Sequence, residues 1–436
     1  MSDVFFAPAA GPLRGEVTAP PDTSISHPAA LFAAMSDGET RIVNYLHAQD
    51  TTSTLNAVRA LGADVELLGS GEVVVRGVGL AGAREPGQPI DVGNAGTLMR
   101  LLPGWLASQE GRAFSLDGDA SIRRRPVDRI AEPLALMGAV LEPTDGRYPP
   151  FVVRGTQLAA ITYVLPVASA QVKSCVLIAG LSAVGTTTVN EPAPSRDHSE
   201  RMLAGAGVHV VREGADVSVS QTASLQAQSL RVPGDLSSAA FIVAAAALVP
   251  GSLVLVRDVG VNWTRIGFLR ILERMGGIVG GSLEAVPADG APIATSEPIC
   301  DLDVIATALR ATTVDADEVP LAIDELPLVA LLGVFADGET VVRGAAELRV
   351  KESDRIAGVV DGLRGLGAEI EATDDGFVVS GTGSLRGGVI DARGDHRMAM
   401  LGAVAGLASR EGVRVVGMEA AAVSYPGFVE DLARLA

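Results

Sequence analysis

The stretch from Ser237 to Val256 reads SSAAFIVAAAALVPGSLVLV. Two hydroxyl residues open it, and an Ala-rich segment follows that is apolar on every side. A helix with no polar face must be buried inside a protein. The run Phe241–Val249 is too short to cross a bilayer, which takes about 20 apolar residues. Gly251 turns the chain, and Leu253 to Val256 read as a short strand. The stretch predicts a small polar helix start, a buried helix, a glycine turn and a strand.

The same unit recurs along the chain. Copies begin at Ser24, Asn94, Ser169, Ser237, Ile323 and Asp395, with turns at Gly38, Gly111, Gly185, Gly251, Gly338 and Gly412. A second feature runs in phase with it. More polar helices end at Leu61-Gly62, Met137-Gly138, Ala206-Gly207, Met275-Gly276 and Leu366-Gly367, and β-branched strands follow. Gly suits a left-handed helix C-cap. Six such units predict an α/β protein of two domains, each holding three βαβαββ-type units around buried helices.

Composition supports this. Of 436 residues, 48% are hydrophobic, 4% aromatic and 20% charged, with 50 Gly. That excludes disorder and predicts close packing of small residues. The formal charge is −18, which argues against a nucleic-acid or membrane-surface partner, since both need a basic face. Cys175 and Cys300, far apart in sequence, fit a reducing cytoplasm. The N-terminal stretch Met1 to Phe6 lacks the basic segment and apolar run of a signal peptide.

The helix starts carry the chemistry. Free N–H groups there bind anions when several starts converge, although one isolated start is explained by capping. Arg100, Arg123, Arg124, Arg125, Arg196, Arg201, Arg355 and Arg397 lie beside these starts, and Arg binds phosphate and carboxylate bidentately. At least one of Arg123 and Arg124 is expected on a solvated face. The coincidence points to a polyanionic small molecule. Asp324-Glu325, Lys351-Glu352 and His396 are either proton movers or caps and ion pairs. Gly77 to Gly82 matches G-x-G-x-x-G, but no helix opens after it, so a dinucleotide site is rejected. His27, His47, His198 and His209 lack metal spacing, and no metal is expected. Trp105 and Trp263 read as packing residues.

Several motifs, in order along essentially the whole chain, resemble the 5-enolpyruvylshikimate-3-phosphate synthase family. They are Asp22-Thr23-Ser24-Ile25-Ser26-His27, Gly93-Asn94-Ala95-Gly96-Thr97, Asp119 to Pro126, Ser169-Ala170-Gln171-Val172-Lys173, Ser195-Arg196-Asp197-His198, Pro233-Gly234-Asp235, Asp324-Glu325-Leu326-Pro327, Lys351-Glu352-Ser353-Asp354-Arg355 and Asp395-His396-Arg397. The resemblance implies domains at 20–236 and at 1–19 plus 237–436, with ligands between them. It implies transfer of the enolpyruvyl group of phosphoenolpyruvate to the 5-hydroxyl of shikimate 3-phosphate, without metal or cofactor. A cytoplasmic monomer is expected, since no heptad or exposed apolar seam stands out. Carried over by motif, Asp324, Glu352 and His396 are catalytic. Gly96, Arg125, Gln171, Arg355 and Arg397 hold phosphoenolpyruvate. Ser24, Ser169, Ala170, Gln171, Ser195, Asp324 and Lys351 hold the phosphorylated acceptor.

Two positions depart from the family pattern. Thr23 stands where the family has a Lys, and Pro28 where it has an Arg. Pro28 is placed in the first helical turn, where Pro is tolerated. The lost charges leave two alternatives open: a diverged enolpyruvyl transferase acting on another phosphorylated alcohol, such as a nucleotide, or a non-catalytic binding homologue. The related UDP-N-acetylglucosamine enolpyruvyl transferases usually place a Cys in the loop at 113–126, which has none here.

Overall fold

Six apolar helices organise the chain: α1 (Thr23–Met35), α2 (Gly96–Leu106), α3 (Ala170–Gly180), α4 (Leu236–Leu248), α5 (Leu326–Phe335) and α6 (His396–Ala408). The computed structural model describes residues 3–69 and 71–436. Met1 and Ser2, part of the N-terminal stretch read above, lie outside the described residues. Every residue of α4 is buried, as its lack of a polar face requires. The six turn glycines all have positive φ, from 74° at Gly111 to 111° at Gly185, a region that side chains disfavour. Small residues also let helices touch backbone to backbone. A Cβ on Gly104 in α2 would lie 2.4 Å from the Cys175 carbonyl oxygen of α3.

The chain forms two compact units. The first comprises Pro21–Val232 and Val286–Glu297. Three four-stranded sheets surround α1, α2 and α3 there. In the second copy, Ile90–Asp91 pairs parallel with Ala113–Asp117, which pairs antiparallel with Tyr148–Arg154, and Val140–Thr144 closes the edge. The order is the same around α1 and α3. A parallel step needs a crossover, which α2 and α3 supply in their copies; around α1 the parallel strand is Leu230–Arg231, from the far end of the unit. One hydrophobic core, from Ile25 to Val232, fills this unit.

The second unit comprises Met1–Pro20, Pro233–Ala285 and Pro298–Ala436, with its own core. Arg14–Thr18 pairs parallel with Leu253–Gly260 beside α4. Around α6 the third strand is Val4–Phe6, antiparallel to Val413–Val416. The N-terminal strands thus complete sheets whose other strands come from the second half of the chain.

Two local readings meet the coordinates directly. Gly77 to Gly82 follows the strand Glu72–Arg76 and leads into a turn, with no helix before the strand Ile90–Asp91. Pro28 is corrected: Asp22 is the N-cap of α1, accepting from Ser24 N at 2.7 Å, so Pro28 is the sixth residue of the helix and not in its first turn. Its missing N–H leaves the Ser24 carbonyl without an intrahelical donor. The helix persists because Ile25 through Met35 are all buried, and tertiary packing outweighs local preference.

Candidate active site

In the first unit the starts of α2 and α3 are cross-linked by side chains. Arg100 Nη1 donates to Gln171 Oε1 at 2.9 Å, and Gln171 Nε2 donates to Thr97 Oγ1 at 3.0 Å. Ser169 caps α3 by accepting from Val172 N at 3.4 Å, and Ala170 is the first helical residue. A Cβ on Gly96 would sit 2.8 Å from Arg125 Nη1 and 3.3 Å from Arg100 Nη1. The missing side chain is what lets two guanidiniums approach the N-terminus of α2. That end of a helix is already positive, so cations gathered there favour an anion as the third party. Arg125 Nη2 also donates to Asn94 Oδ1 at 3.2 Å. At the start of α1, Arg196 Nη1 donates to Ser24 Oγ at 3.1 Å. Arg123 differs: it forms a bidentate pair with Asp117 at 2.9 and 2.6 Å and is more than half exposed. It lies on the solvated face expected for one member of its run.

The second unit gathers charges around Arg355, whose side chain is 1% exposed. Its Nε donates to Asp395 Oδ2 at 2.9 Å, its Nη1 to Asp324 Oδ1 at 3.1 Å, and its Nη2 to Glu352. Burial alone would lower the pKa of this guanidinium, but Glu352, Asp395 and Asp324 outweigh it and raise it. Burial also works against the Asp395 carboxylate, and Arg355 overcomes that and holds it below the usual range. Asp395 additionally caps α6 by accepting from Arg397 N at 2.9 Å. Arg397 reaches Asp324 Oδ2 at 3.5 Å and Glu325 Oε1 at 4.0 Å, and its buried Nε has no hydrogen-bond partner among the described residues. Lys351 Nζ lies 4.0 Å from Asp324 Oδ1, and its pKa is lowered by burial, with Asp324 opposing. Burial pushes the Glu325 carboxyl up. His396, the first residue of α6, falls to about 4, through burial first and then Arg397 and Arg355. Its Nδ1 is buried without a hydrogen-bond partner among the described residues. At neutral pH this imidazole is uncharged, so it can offer a hydrogen bond to its neighbours but not a charge.

The coordinates therefore bring Asp324, Lys351, Glu352, Arg355 and Arg397 into one cluster, with His396 at its edge. Separately, they bring Gly96, Arg125, Gln171 and Ser169 to neighbouring helix starts, and Ser24 to Arg196. Glu352 is the most open carboxylate around Arg355, with its side chain 36% exposed. The Arg355 guanidinium orients this carboxyl group, and its exposure lets it meet a ligand. Asp395 received no role from its motif, although an Asp before an apolar helix is an N-cap signal. Arg265 was also missed. It donates to Asp235 Oδ1 at 2.8 Å and Ser237 Oγ at 2.9 Å at the start of α4, and nothing in local spacing joins positions thirty residues apart.

Asp197, His198 and Glu297 bring ligand-type atoms within 4.8 Å of one another, a grouping invisible to histidine spacing. Arg201 Nε holds Asp197 at 2.9 Å, and His198 Nδ1 lies 2.7 Å from Glu297 Oε1. The His198–Glu297 pair and the bond from Arg201 Nη1 to the Ser296 carbonyl at 3.0 Å pin the segment Val286–Glu297 to the helix His198–Gly205 of the same unit.

Residues 8–432 match the family described as EPSP synthase (3-phosphoshikimate 1-carboxyvinyltransferase). A 3-phosphoshikimate 1-carboxyvinyltransferase of Synechococcus sp. (strain WH7803) is 46% identical, covering 98% of this chain and 97% of its own. One from Methylococcus capsulatus is 45% identical, covering 98% and 96%. A solved EPSP synthase from Acinetobacter baumannii superposes with a TM-score of 0.87 at 40% identity, over 99% of this chain and 98% of that one.

Proposed function

This chain belongs to the EPSP synthase (3-phosphoshikimate 1-carboxyvinyltransferase) family, and we propose from that premise that it transfers the enolpyruvyl group of phosphoenolpyruvate to the 5-hydroxyl of shikimate 3-phosphate, releasing phosphate. The observation that carries the chemistry is the Arg355 cluster, where two carboxylates of graded exposure, Asp324 and Glu352, share one buried guanidinium.

In this reading Arg355 and Arg397, with Gly96, Arg125 and Gln171, hold phosphoenolpyruvate. Glu352 supplies a proton to the methylene carbon. The acceptor hydroxyl attacks the resulting cationic centre while Asp324 takes its proton. The tetrahedral adduct then expels phosphate, and loss of the added methyl proton restores the double bond. Ser24, Ser169, Ala170, Ser195 and Lys351 hold the acceptor. Positive charge fixed before reaction supplies much of the rate. No metal or organic cofactor enters these steps, and the enzyme acts as a cytoplasmic monomer. The free thiols Cys175 and Cys300 suit a reducing compartment.

The departures at Thr23 and Pro28 fit a working synthase with altered charge supply. Thr23 Oγ1 is buried without a hydrogen-bond partner among the described residues, so the position neither neutralises nor pairs there. Arg196, beside Ser24, brings a guanidinium to the same helix start. Phosphate release from phosphoenolpyruvate and shikimate 3-phosphate tests the proposal. No release at saturating substrates from verified folded protein overturns it, and a screen of other phosphorylated alcohols, nucleotides included, then finds any other acceptor. Thr23→Lys with Pro28→Arg is expected to lower the KM for shikimate 3-phosphate about tenfold or more, since a desolvated charge partner is worth about 2–5 kcal/mol. Unchanged kinetics would remove the electrostatic role of both positions.

A further inference from the structure

Three buried charges, with a fourth partly exposed, lie behind Ser169 and Ser195, and no step above uses them. Lys173, four residues after Ser169, has its Nζ 3.0 Å from Glu191 Oε2, 2.7 Å from Glu200 Oε1 and 3.4 Å from the Ser195 carbonyl. Arg212 reaches Glu200 Oε1 at 3.2 Å and Glu191 Oε2 at 3.6 Å. The Ser195 hydroxyl donates to Glu191 Oε1. Side-chain exposure is 0% for Lys173 and Glu200, 2% for Glu191 and 17% for Arg212. Two positive charges meet two negative ones. Burial pushes the Glu200 carboxyl up against the pull of Lys173, while Glu200 and Glu191 raise Lys173 in spite of its burial.

Such a cluster is a poor source of stability, because apolar side chains of similar size do as well or better. What it supplies is register. Its members come from α3, the residue after the strand Thr186–Asn190, the helix His198–Gly205 and the strand Val210–Glu213. All four elements must be in place before the charges balance. Lys173 also joins the start of α3 to the backbone of Ser195, next to Arg196.

We propose that Lys173 is a positioning residue for binding of the acceptor's phosphate: it fixes the Ser195–Arg196 segment against Ser169 and Gln171, and it keeps Glu191 neutralised when the Ser195 hydroxyl turns from Glu191 to a phosphate oxygen. The second part follows from counting protons. A serine hydroxyl has one proton, and here Glu191 receives it. A phosphate dianion only accepts, so engaging it through Ser195 leaves Glu191 one hydrogen bond short. Lys173, at 3.0 Å, remains to balance that charge. The proposal rests on the acceptor-site assignment of Ser169, Gln171 and Ser195 made above.

The test uses the full-length enzyme with Lys173→Met combined with Glu200→Gln, which removes one charge of each sign. Thermal melting is read first, then steady-state kinetics. A positioning role predicts a folded enzyme whose KM for shikimate 3-phosphate rises about tenfold or more, with kcat and the KM for phosphoenolpyruvate within about threefold, the signature of lost ground-state binding. Ser169→Ala is measured alongside. A raised acceptor KM in Ser169→Ala with an unchanged one in the double variant overturns the role of Lys173 alone. An unchanged acceptor KM in Ser169→Ala overturns the acceptor-site assignment, and the role of Lys173 with it. Should the double variant melt below assay temperature, Lys173→Arg carries the test: it keeps the charge but not the compact ammonium seated between Glu191, Glu200 and the Ser195 carbonyl. Its acceptor KM is expected to rise about fivefold at unchanged kcat, and no rise overturns the proposal.

Discussion

Lys173 in the first unit and Arg355 in the second are both buried cations ringed by carboxylates. Lys173 is sealed, since the side chains of Glu191 and Glu200 are at most 2% exposed. Around Arg355 the partners open step by step, from Asp395 at 0% through Asp324 at 11% to Glu352 at 36%. A carboxylate that cannot meet solvent cannot meet a ligand either. The sealed hub can therefore only set geometry, while the graded hub presents groups that bind and exchange protons. Guanidinium against ammonium fits this division. The planar fork of Arg355 serves three carboxylates at once, whereas Lys173 acts as a point charge.

Removing the graded hub is expected to have the largest effect. Arg355→Met should lower kcat/KM by about 10³-fold or more, and stranding its carboxylates should cost about 3–5 kcal/mol of stability. Arg355→Lys keeps the charge but not the fork, and should recover stability more than activity. Wild-type kcat from folded Arg355→Met would erase the contrast between the hubs. Lys173→Met alone strands two sealed carboxylates. Denaturant unfolding should show a loss of about 3–5 kcal/mol, with kcat per folded molecule close to wild type. A collapse of kcat without loss of stability would place Lys173 in the chemistry.

A smaller effect separates two histidines, one in each unit. His27 is buried in α1 with Nδ1 2.6 Å from Thr54 Oγ1, and burial lowers its pKa from 6.5 to about 4. His396 falls to about the same value at the graded hub. Between pH 6.5 and 4 the unfolded chain binds protons that these native side chains refuse, so stability falls as pH drops through that window. It is fully present above pH 6.5. His27 should account for about 2 kcal/mol of loss by pH 5, and His27→Gln should flatten that part of a plot of unfolding free energy against pH. An unaltered slope in His27→Gln would mean that its imidazole is already protonated in the folded protein. The smallest expected change is from Gly96→Ala. Its methyl group would crowd Arg125 at 2.8 Å, so the KM for phosphoenolpyruvate should rise several-fold at nearly constant kcat. An unchanged KM would detach Gly96 and Arg125 from that ligand.

Much of the fold was legible because its causes are local. Helices with no polar face, glycines at turns and β-branched strands each depend on residues within a few positions. Their recurrence in six copies implied two sets of three. Pro28 shows where local reading failed: Asp22 starts the helix early enough to put the proline in the second turn, and packing tolerates it there. At the site, helix starts with adjacent arginines were visible in sequence, but their partners were not. Gln171 meets Arg100 across 71 residues, and Arg265 meets Asp235 across 30.

By itself, then, the amino-acid sequence determined the buried helices, the glycine turns, the sixfold repeat and, through its motifs, the family. Only the tertiary structure decided which charges are sealed and which are open. It alone brought Glu191, Glu200 and Arg212 around Lys173, placed Asp395 beneath Arg355, and carried Val286–Glu297 onto the helix His198–Gly205. The physical reason is that secondary structure answers to neighbours along the chain, whereas exposure and the balance of buried charge depend on whatever the whole fold packs against a side chain.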